Sequence, residues 1–179
     1  MTRKSIEFHQ LDVNVHHLWS EQWFLLTSGD FEKDHFNTMT VAWGSLGIMW
    51  SKPFAQVVVR PTRYTYGFMN QYDTFTLSAF GEAHRSALQL LGTKSGRDGD
   101  KIAETDLTPI ASTRVPAPAF DEAELIIECR KMYWQDMIPT HFLDSSIAKH
   151  YPNQAYHRIY FGEVVAIMGT QAFEADPSS

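Results

Sequence analysis

The stretch Thr74-Phe75-Thr76-Leu77-Ser78-Ala79-Phe80 decides the fold, because its polar and apolar residues alternate from Thr74 to Ala79. Successive side chains of an extended strand point to opposite faces of a sheet. Phe75, Leu77 and Ala79 therefore share one face, and the hydroxyl-bearing residues share the other. The alternation predicts a half-buried β-strand.

Five further segments are rich in β-branched and aromatic residues, which favour strands. The sequence therefore predicts about six strands in total. The last predicted strand is long enough to curve around a barrel, and Gly162 lies where a bulge or bend would help it to do so. The five segments are 22–27, 36–43, 54–60, 124–133 and 157–168.

Short helical patterns separate some of these strands, at 62–71, 82–91 and 145–150, with Gly92 as the expected C-terminal cap of the second. The helices do not alternate regularly with the strands, as they would in a doubly wound parallel sheet. The pattern therefore predicts a mostly β protein, an antiparallel barrel with short peripheral helices.

Length and charge narrow the class of protein. A chain of 179 residues with 44% hydrophobic content is expected to form a single domain over residues 1–179. Its net charge of −6 disfavours nucleic-acid and membrane-surface binding. The charged amino terminus and the absence of any run near ~18 apolar residues indicate a cytoplasmic protein. Cys129 is the lone cysteine, so neither an internal disulfide nor a cysteine-rich metal site is expected.

Several catalytic and nucleotide motifs are missing. The sequence contains no G-x-G-x-x-G, G-x-x-x-x-G-K-[ST], H-E-x-x-H or G-x-S-x-G string. Rossmann-type nucleotide binding, metal hydrolysis and serine acyl transfer are therefore disfavoured. We predict no metal ligands.

Three segments are polar where a plain core strand would be apolar: 37–44, 60–65 and 92–101. The first offers amide and hydroxyl groups that suit the polar edge of a flat heterocycle, although an ordinary strand with solvent-facing hydroxyls fits it equally well. The second places two arginines and two threonine hydroxyls where a helix begins, a favourable place for an anion, with exposed arginines paired to acids as the alternative. The third contains three glycines, Lys94 and Arg97, which could contact a ligand, but taken alone this segment is more typical of a polar loop.

Together, the three segments suggest a ligand with a phosphate at one end and a flat ring at the other. Aromatic residues make up 13% of the chain, a content that suits a large core, a subunit interface or a planar ligand.

The ordered motifs N-T-M-T-x-x-W-G, V-R-P-x-R-Y-T and G-T-K-S-G-R-D-x-D-K resemble the flavin reductase-like, FMN-binding split-barrel family, close to its flavoredoxin-like members. The resemblance extends through segments 129–136, 151–153, 156–158 and 161–163, and so covers nearly the whole chain. It implies a six-stranded antiparallel Greek-key split barrel, a homodimer, and non-covalently bound FMN near the subunit interface.

The resemblance also implies positions for the cofactor. Residues around the isoalloxazine ring would be Asn37, Thr38, Met39, Thr40 and Trp43, with Ser78 and Phe80 as neighbours. Residues around the ribityl phosphate would be Arg60, Arg63, Tyr64, Thr65 and Lys94. Phe161 and residues 133–136 would close one side of the site or approach it from the partner chain.

The flavin itself carries the redox chemistry in such proteins, so we name no catalytic residue. The leading hypothesis is an NAD(P)H-dependent flavin reductase or a related oxidoreductase, with NADH or NADPH as the candidate electron donor. One alternative is a flavoredoxin-like electron carrier that exchanges electrons with a protein partner. Another is a non-catalytic ligand-binding barrel.

Overall fold

One antiparallel sheet of eight strands dominates the computed structural model, which describes residues 2–176. A small hairpin, β7 with β8, forms a second sheet. The strands of the large sheet lie in the order β3-β2-β6-β9-β10-β5-β4, and β1 pairs with β10. The strands are β1 (Lys4–Ser5), β2 (Phe24–Asp30), β3 (His35–Val41), β4 (Gly44–Met49), β5 (Lys52–Val59), β6 (Thr74–Ala79), β7 (Pro109–Ile110), β8 (Ala119–Phe120), β9 (Leu125–Asp136) and β10 (Arg158–Gly169).

The sheet rolls up because its two end strands are joined by a very short link. β3 ends at Val41 and β4 begins at Gly44, so only Ala42 and Trp43 lie between opposite ends of the strand order. Three Cα–Cα steps span at most about 11 Å. The ends of the sheet therefore meet at this link. Val41 of β3 and Val57 of β5 accordingly belong to the same buried cluster.

The predicted mostly β fold with short helices is confirmed, and each of the six predicted strands corresponds to a long strand of the sheet. The predicted number of strands is too low. β4 was missed because its sequence, GSLGIM, contains two glycines and so lacks the usual strand composition. β1, β7 and β8 have two residues each, too few to show a pattern.

β6 is buried on both faces, so the prediction of a half-buried strand is wrong. Phe75, Leu77 and Ala79 pack in the main core as expected. Thr76 and Ser78 are also fully buried, because a second apolar cluster covers the other face of the sheet. That cluster packs residues of α3 against Phe80, Phe120 and Ile126, among others.

Three α-helices and several short 3-10 or π turns surround the sheet: α1 (Val15–His17), α2 (Tyr64–Gln71) and α3 (Arg85–Thr93). Gly92 lies inside α3 and is not its C-terminal cap, since the helix continues to Thr93. A Cβ at position 92 would lie 3.1 Å from Cβ of Thr40, so glycine serves close packing of α3 on β3. The predicted helix at 145–150 is a 3-10 helix.

The turn between β4 and β5 has an uncommon backbone. Trp50 and Ser51 have φ values of 52° and 58°, as a two-residue type I′ hairpin turn requires. Bulky residues rarely adopt positive φ, at a cost of the order of 1–2 kcal/mol. The turn leaves the Trp50 ring 58% exposed.

Within residues 2–176, no helix combines the length and the hydropathy needed to span a bilayer.

Candidate functional site

A cavity of about 360 Å³ opens beside the β3–β4 link, and we call it the ring-end cavity. The last three residues of β3 and the link form one wall of this cavity, and the end of β5 contributes to another. The Thr40 hydroxyl on this wall already donates a hydrogen bond of 2.5 Å to the Leu88 carbonyl of α3, which holds β3 and α3 together. The lining residues are Met39, Thr40, Val41, Ala42, Trp43, Val58, Arg60, Thr62, Arg63 and His157.

Trp43 and His157 form an aromatic corner of this cavity. Their ring centroids are 5.3 Å apart, and Trp43 is 45% exposed. His157 is buried, and its Nδ1 lies 2.8 Å from the Tyr151 hydroxyl. Arg60 donates from Nε to Nε2 of His157 at 3.4 Å, which makes Nδ1 the protonated nitrogen of the neutral ring.

Burial, and secondarily the charge of Arg60, lower the pKa of His157 from 6.5 to about 4. The imidazole is therefore neutral at pH 7. Arg60 also donates to the His150 carbonyl at 2.9 Å and lies over the Tyr151 ring. The ring-end cavity thus has the fixed positive charge of Arg60 beside an uncharged histidine.

A second, narrower cavity of about 110 Å³ adjoins the first, and we call it the phosphate-end cavity. It shares Met39, Thr62 and Arg63 with the ring-end cavity, so the two form one cleft. α2 begins at this cavity, and its N-cap, Arg63, makes no side-chain cap hydrogen bond. The free N–H groups of a first helical turn favour an anion. Its other lining residues are Asn37, Tyr64, Thr65, Thr93, Lys94, Ser95, Gly96, Arg97 and Lys101.

A buried lysine and a half-buried arginine bring positive charge to this cavity. The Lys101 side chain is buried, and its Nζ donates to the carbonyls of Leu91 at 2.7 Å and Lys94 at 3.1 Å. Arg63 is half-buried and donates to the Gly92 carbonyl. Burial, and then the charge of Arg63, lower the pKa of Lys101 to about 8. Burial, and then the charge of Arg60, lower the pKa of Arg63.

Neither Arg63 nor Lys101 forms an ion pair with a carboxylate in the described part of the chain. The cavity therefore concentrates positive charge in a chain of net charge −6. Buried charges are costly unless they are paired. An anionic group fits this end of the cleft.

The loop after α3 lies very close to β3 and α2. A Cβ on Gly96 would lie 2.2 Å from Oδ1 of Asn37 and 2.9 Å from Cδ1 of Tyr64, so only glycine permits the approach. Asn37 in turn donates from Nδ2 to the Thr65 hydroxyl at 2.7 Å. These contacts join strand, helix and loop around the phosphate-end cavity.

Nine of the predicted site residues line this one cleft: Asn37, Met39, Thr40, Trp43, Arg60, Arg63, Tyr64, Thr65 and Lys94. The Lys94 side chain was expected to reach the phosphate, but its ammonium group pairs with Glu104 at 2.5 and 2.7 Å.

Four predicted site residues lie outside the cleft, for different reasons. The Thr38 hydroxyl is fully buried and bonds to the Leu26 carbonyl and to Thr27 inside the sheet. Ser78 is buried beneath the second cluster, where its hydroxyl has no protein partner. Phe80 packs in that cluster, and Phe161 belongs to an aromatic group on β5, β9 and β10.

The prediction missed His157 and Lys101, although both lie in segments that it quoted. Lys101 ends the motif that begins at Gly92, and His157 precedes Arg158 at the start of β10. A buried histidine or lysine usually has a function or a partner, so the burial of His157 and Lys101 is the signal that identifies them. The sequence does not show that both side chains turn inward.

Solved structures with similar folds come from several bacteria. Flavoredoxin of Desulfovibrio vulgaris (Miyazaki F) aligns over 93% of this chain and 81% of its own, with a TM-score of 0.66 and 21% identity. An FMN-binding domain of a flavin reductases-like enzyme from Shewanella baltica OS155 aligns over 94% and 77%, with a TM-score of 0.65 and 15% identity. The NADH:FAD oxidoreductase SgcE6 of Streptomyces globisporus C-1027 aligns over 86% and 78%, with a TM-score of 0.63 and 16% identity. At these identities, the likeness establishes the fold.

The sequence itself matches a protein-family model. The match spans residues 19–176 and therefore includes every strand of the large sheet except β1, and both cavities of the cleft. The model describes the flavin reductase like domain, and this chain belongs to that family.

Proposed function

We propose that the cleft binds FMN non-covalently and that the protein is an NAD(P)H-dependent flavin reductase or a related oxidoreductase. One observation carries this proposal: a cavity with an aromatic corner continues directly into a cavity with a buried lysine and a half-buried arginine, neither of which pairs with a carboxylate in the part of the chain that the structure describes. FMN has the matching shape, a flat ring joined to a terminal phosphate. Membership of the flavin reductase like family supports the same ligand.

The residues of the phosphate-end cavity hold the anion. Arg63 and Lys101 supply charge, the first turn of α2 supplies N–H groups, and Gly96 lets the loop backbone approach closely. Because these groups are fixed before the ligand arrives, little ordering is needed on binding.

The residues of the ring-end cavity orient the ring and set its electrostatic surroundings. When bound, FMN supplies a ring that accepts a hydride or electrons, so the protein needs no nucleophile of its own. Arg60 places positive charge beside the cavity, which favours a ligand that gains negative charge on reduction. His157 stays neutral at pH 7 and adds no second charge.

Two measurements on the purified protein test the proposal. The protein is mixed with FMN and freed of unbound ligand, and the flavin absorbance is then recorded. Retention of stoichiometric FMN by the wild type, with loss of retention in an Arg63→Met/Lys101→Met double variant, is the expected result. A protein that stays colourless would instead be a non-catalytic barrel.

The loaded protein is next titrated with NADH and NADPH without oxygen. Bleaching of the flavin absorbance by either nucleotide is expected for a reductase. Bleaching only by a reduced protein donor would identify an electron carrier and overturn the proposed activity. The cytoplasmic location and the single-domain organisation stay predictions from the sequence.

A homodimer is also part of our proposal, supported by an exposed aromatic patch. Phe161 lies 5.9 Å from Tyr133 and 6.4 Å from Trp50, measured between ring centroids. Trp50 and Tyr133 are exposed, and so is Ile48 on the neighbouring β4. Aromatic residues at such density are typical of protein–protein interfaces. The family resemblance indicates a second copy of this chain as the occupant.

The oligomeric state in solution tests this proposal. Trp50→Asp should convert a dimer to a monomer in light scattering after size-exclusion chromatography. Leu143→Asp is the matched control, since Leu143 is a fully exposed apolar residue of the connection between β9 and β10. A wild-type protein that is monomeric at high micromolar concentration would contradict the dimer.

A further inference from the structure

Tyr151 contacts two residues of the ring-end cavity without lining the cavity itself. Its side chain is buried, and its hydroxyl lies 2.8 Å from Nδ1 of His157. The Arg60 guanidinium lies 5.5 Å from the centre of the Tyr151 ring. Tyr151 can therefore influence a ligand in the cavity only through His157 and Arg60.

The side chains of Arg60, His157, Tyr151 and Met137 form a chain of hydrogen bonds with a fixed direction. An arginine N–H can only donate, so Nε2 of His157 accepts from Nε of Arg60 at 3.4 Å. The neutral ring carries its proton on Nδ1 and donates it to the Tyr151 oxygen. The Tyr151 hydroxyl in turn donates to Sδ of Met137 at 3.3 Å. Each hydrogen therefore has one position in this chain.

The same chain orients the Arg60 guanidinium. His157 accepts from Nε, and the His150 carbonyl accepts from Nη2 at 2.9 Å. In the described part of the chain, Nη1 has no hydrogen-bond partner and Arg60 forms no ion pair. Because Arg60 lines the ring-end cavity, Nη1 is the donor that remains for a ligand there. A positive group fixed before binding stabilises negative charge without reorganisation.

Aromatic packing in the connection between β9 and β10 holds the Tyr151 ring. The ring stacks on Phe142, with centroids 5.9 Å apart and planes at 15°, and the Tyr156 ring lies 4.9 Å away. The Tyr151 backbone N–H donates to the Ala148 carbonyl at 3.0 Å. None of these contacts uses the Tyr151 hydroxyl. Removal of that hydroxyl therefore tests hydrogen bonding separately from packing.

We propose that Tyr151 is a positioning residue, which fixes the tautomer of His157 and thereby the orientation of Arg60, so that the cleft favours the reduced form of the flavin. The inference rests on the proposed function, because it places the flavin ring in the ring-end cavity. Without the Tyr151 hydroxyl, Nδ1–H of His157 would be buried without an acceptor, so the proton moves to Nε2. Nε2–H would then face Nε–H of Arg60. Two donors repel each other, and Arg60 loses its fixed orientation.

The first test determines the tautomer of His157 in the flavin-free protein. Imidazole ¹⁵N NMR at pH 7 distinguishes the two neutral tautomers, and His157→Gln identifies the signals of this ring. We expect the Nδ1–H tautomer in the wild type and mainly the Nε2–H tautomer in Tyr151→Phe. Tyr156→Phe is the matched control, since the Tyr156 hydroxyl makes no hydrogen bond within residues 2–176. It should keep the wild-type tautomer.

The second test measures the affinities for oxidised FMN and for chemically reduced FMN without oxygen. Tyr151→Phe should weaken the binding of reduced FMN at least tenfold more than that of oxidised FMN. A tenfold change in this ratio lowers the midpoint potential of bound FMN by about 30 mV for a two-electron couple. Tyr156→Phe should leave the ratio unchanged. A merely structural role of Tyr151 would weaken the binding of both forms equally.

Met137→Leu repeats both tests if Tyr151→Phe fails to fold. The change nearly conserves volume but removes the acceptor of the Tyr151 hydroxyl, which then donates to Nδ1 of His157 and moves the ring proton to Nε2. A wild-type tautomer or a wild-type affinity ratio in the folded variant would overturn the inference while the proposed function stands. Absence of FMN binding by the wild type would overturn the proposed function, and the positioning role of Tyr151 with it.

Discussion

The ammonium group of Lys101 lies 2.7 Å from the carbonyl oxygen of Leu91, inside the last turn of α3. Carbonyl groups at the end of a helix lack helical partners and carry partial negative charge. Lys101 therefore stabilises the end of α3 and, at the same time, brings a positive charge to the phosphate-end cavity. The position of the binding loop and the charge of the cleft depend on the same side chain.

Replacing Lys101 by Met should weaken FMN binding by about 10- to 100-fold, because it removes a charge-assisted contact worth roughly 1.5–3 kcal/mol. Fluorescence titration measures the change. Lys94→Ala is the control, and we expect a smaller effect from it, since the Lys94 ammonium pairs with Glu104 at the surface. Equal losses in the two variants would contradict the role of Lys101.

FMN affinity should fall as the pH rises from 7 to 9. The pKa of Lys101 is lowered to about 8, so the free protein loses this positive charge within that window. The ligand phosphate stays dianionic there, because its second pKa is near 6. A Lys101→Arg variant that binds FMN should show a flatter profile, since arginine keeps its charge. The measurement is the dissociation constant at several pH values, and parallel profiles for the two proteins would refute the assignment.

His157 should make the protein less stable in mild acid. Its pKa is about 4 in the folded protein and 6.5 ordinarily, so the unfolded chain takes up the proton first as the pH falls. The stabilisation is present above pH 6.5 and is lost progressively towards pH 4, with a magnitude of about 3 kcal/mol. Urea unfolding at pH 7 and pH 5 measures it. Compared with the wild type, His157→Gln should lose less stability between these two pH values.

Gly96→Ala should impair both folding stability and FMN binding, because the new Cβ would overlap Asn37 and Tyr64. We expect a loss of about 1–3 kcal/mol in the free energy of unfolding, typical of overpacking. Gly67→Ala is the matched control within the same region. It meets open space on α2 and should stabilise the helix by about 0.5–1 kcal/mol. Chemical denaturation of the two variants side by side distinguishes these effects.

The long strands were predictable because alternation and a high content of β-branched and aromatic residues are visible within each segment. β6 shows the limit of that pattern, since Thr76 and Ser78 on its polar face are also fully buried, and the Thr76 hydroxyl donates to the Pro118 carbonyl just before β8. Which surface covers a strand depends on distant segments, and a local pattern does not contain that information. The same limit explains why β4, with its two glycines, was missed.

The sequence predicts which strand and helix border the cleft. It does not predict which of their side chains point into it. Arg63 lies in the cleft because α2 begins there, and Asn37 lies in it because β3 runs along the cleft. The sequence analysis named Lys94 but not Lys101 in the 92–101 segment: the Lys101 ammonium bonds inside the fold to the Leu91 carbonyl, whereas the Lys94 ammonium pairs with Glu104. Thr38 was assigned to the ring by resemblance, but its hydroxyl bonds inside the sheet.

The link between β3 and β4 constrains how this protein can diversify. Ala42 and Trp43 join the two ends of the sheet and also line the ring-end cavity. A change in the length of this link would alter the closure of the sheet, so ligand preference at the cavity can evolve there only by exchanging one side chain for another. In the connection between β9 and β10, the segment 138–149 lines neither cavity of the cleft, so its length is not restricted in this way. New partners and substrates are therefore expected to be acquired by insertions in that connection, while the link keeps its two residues.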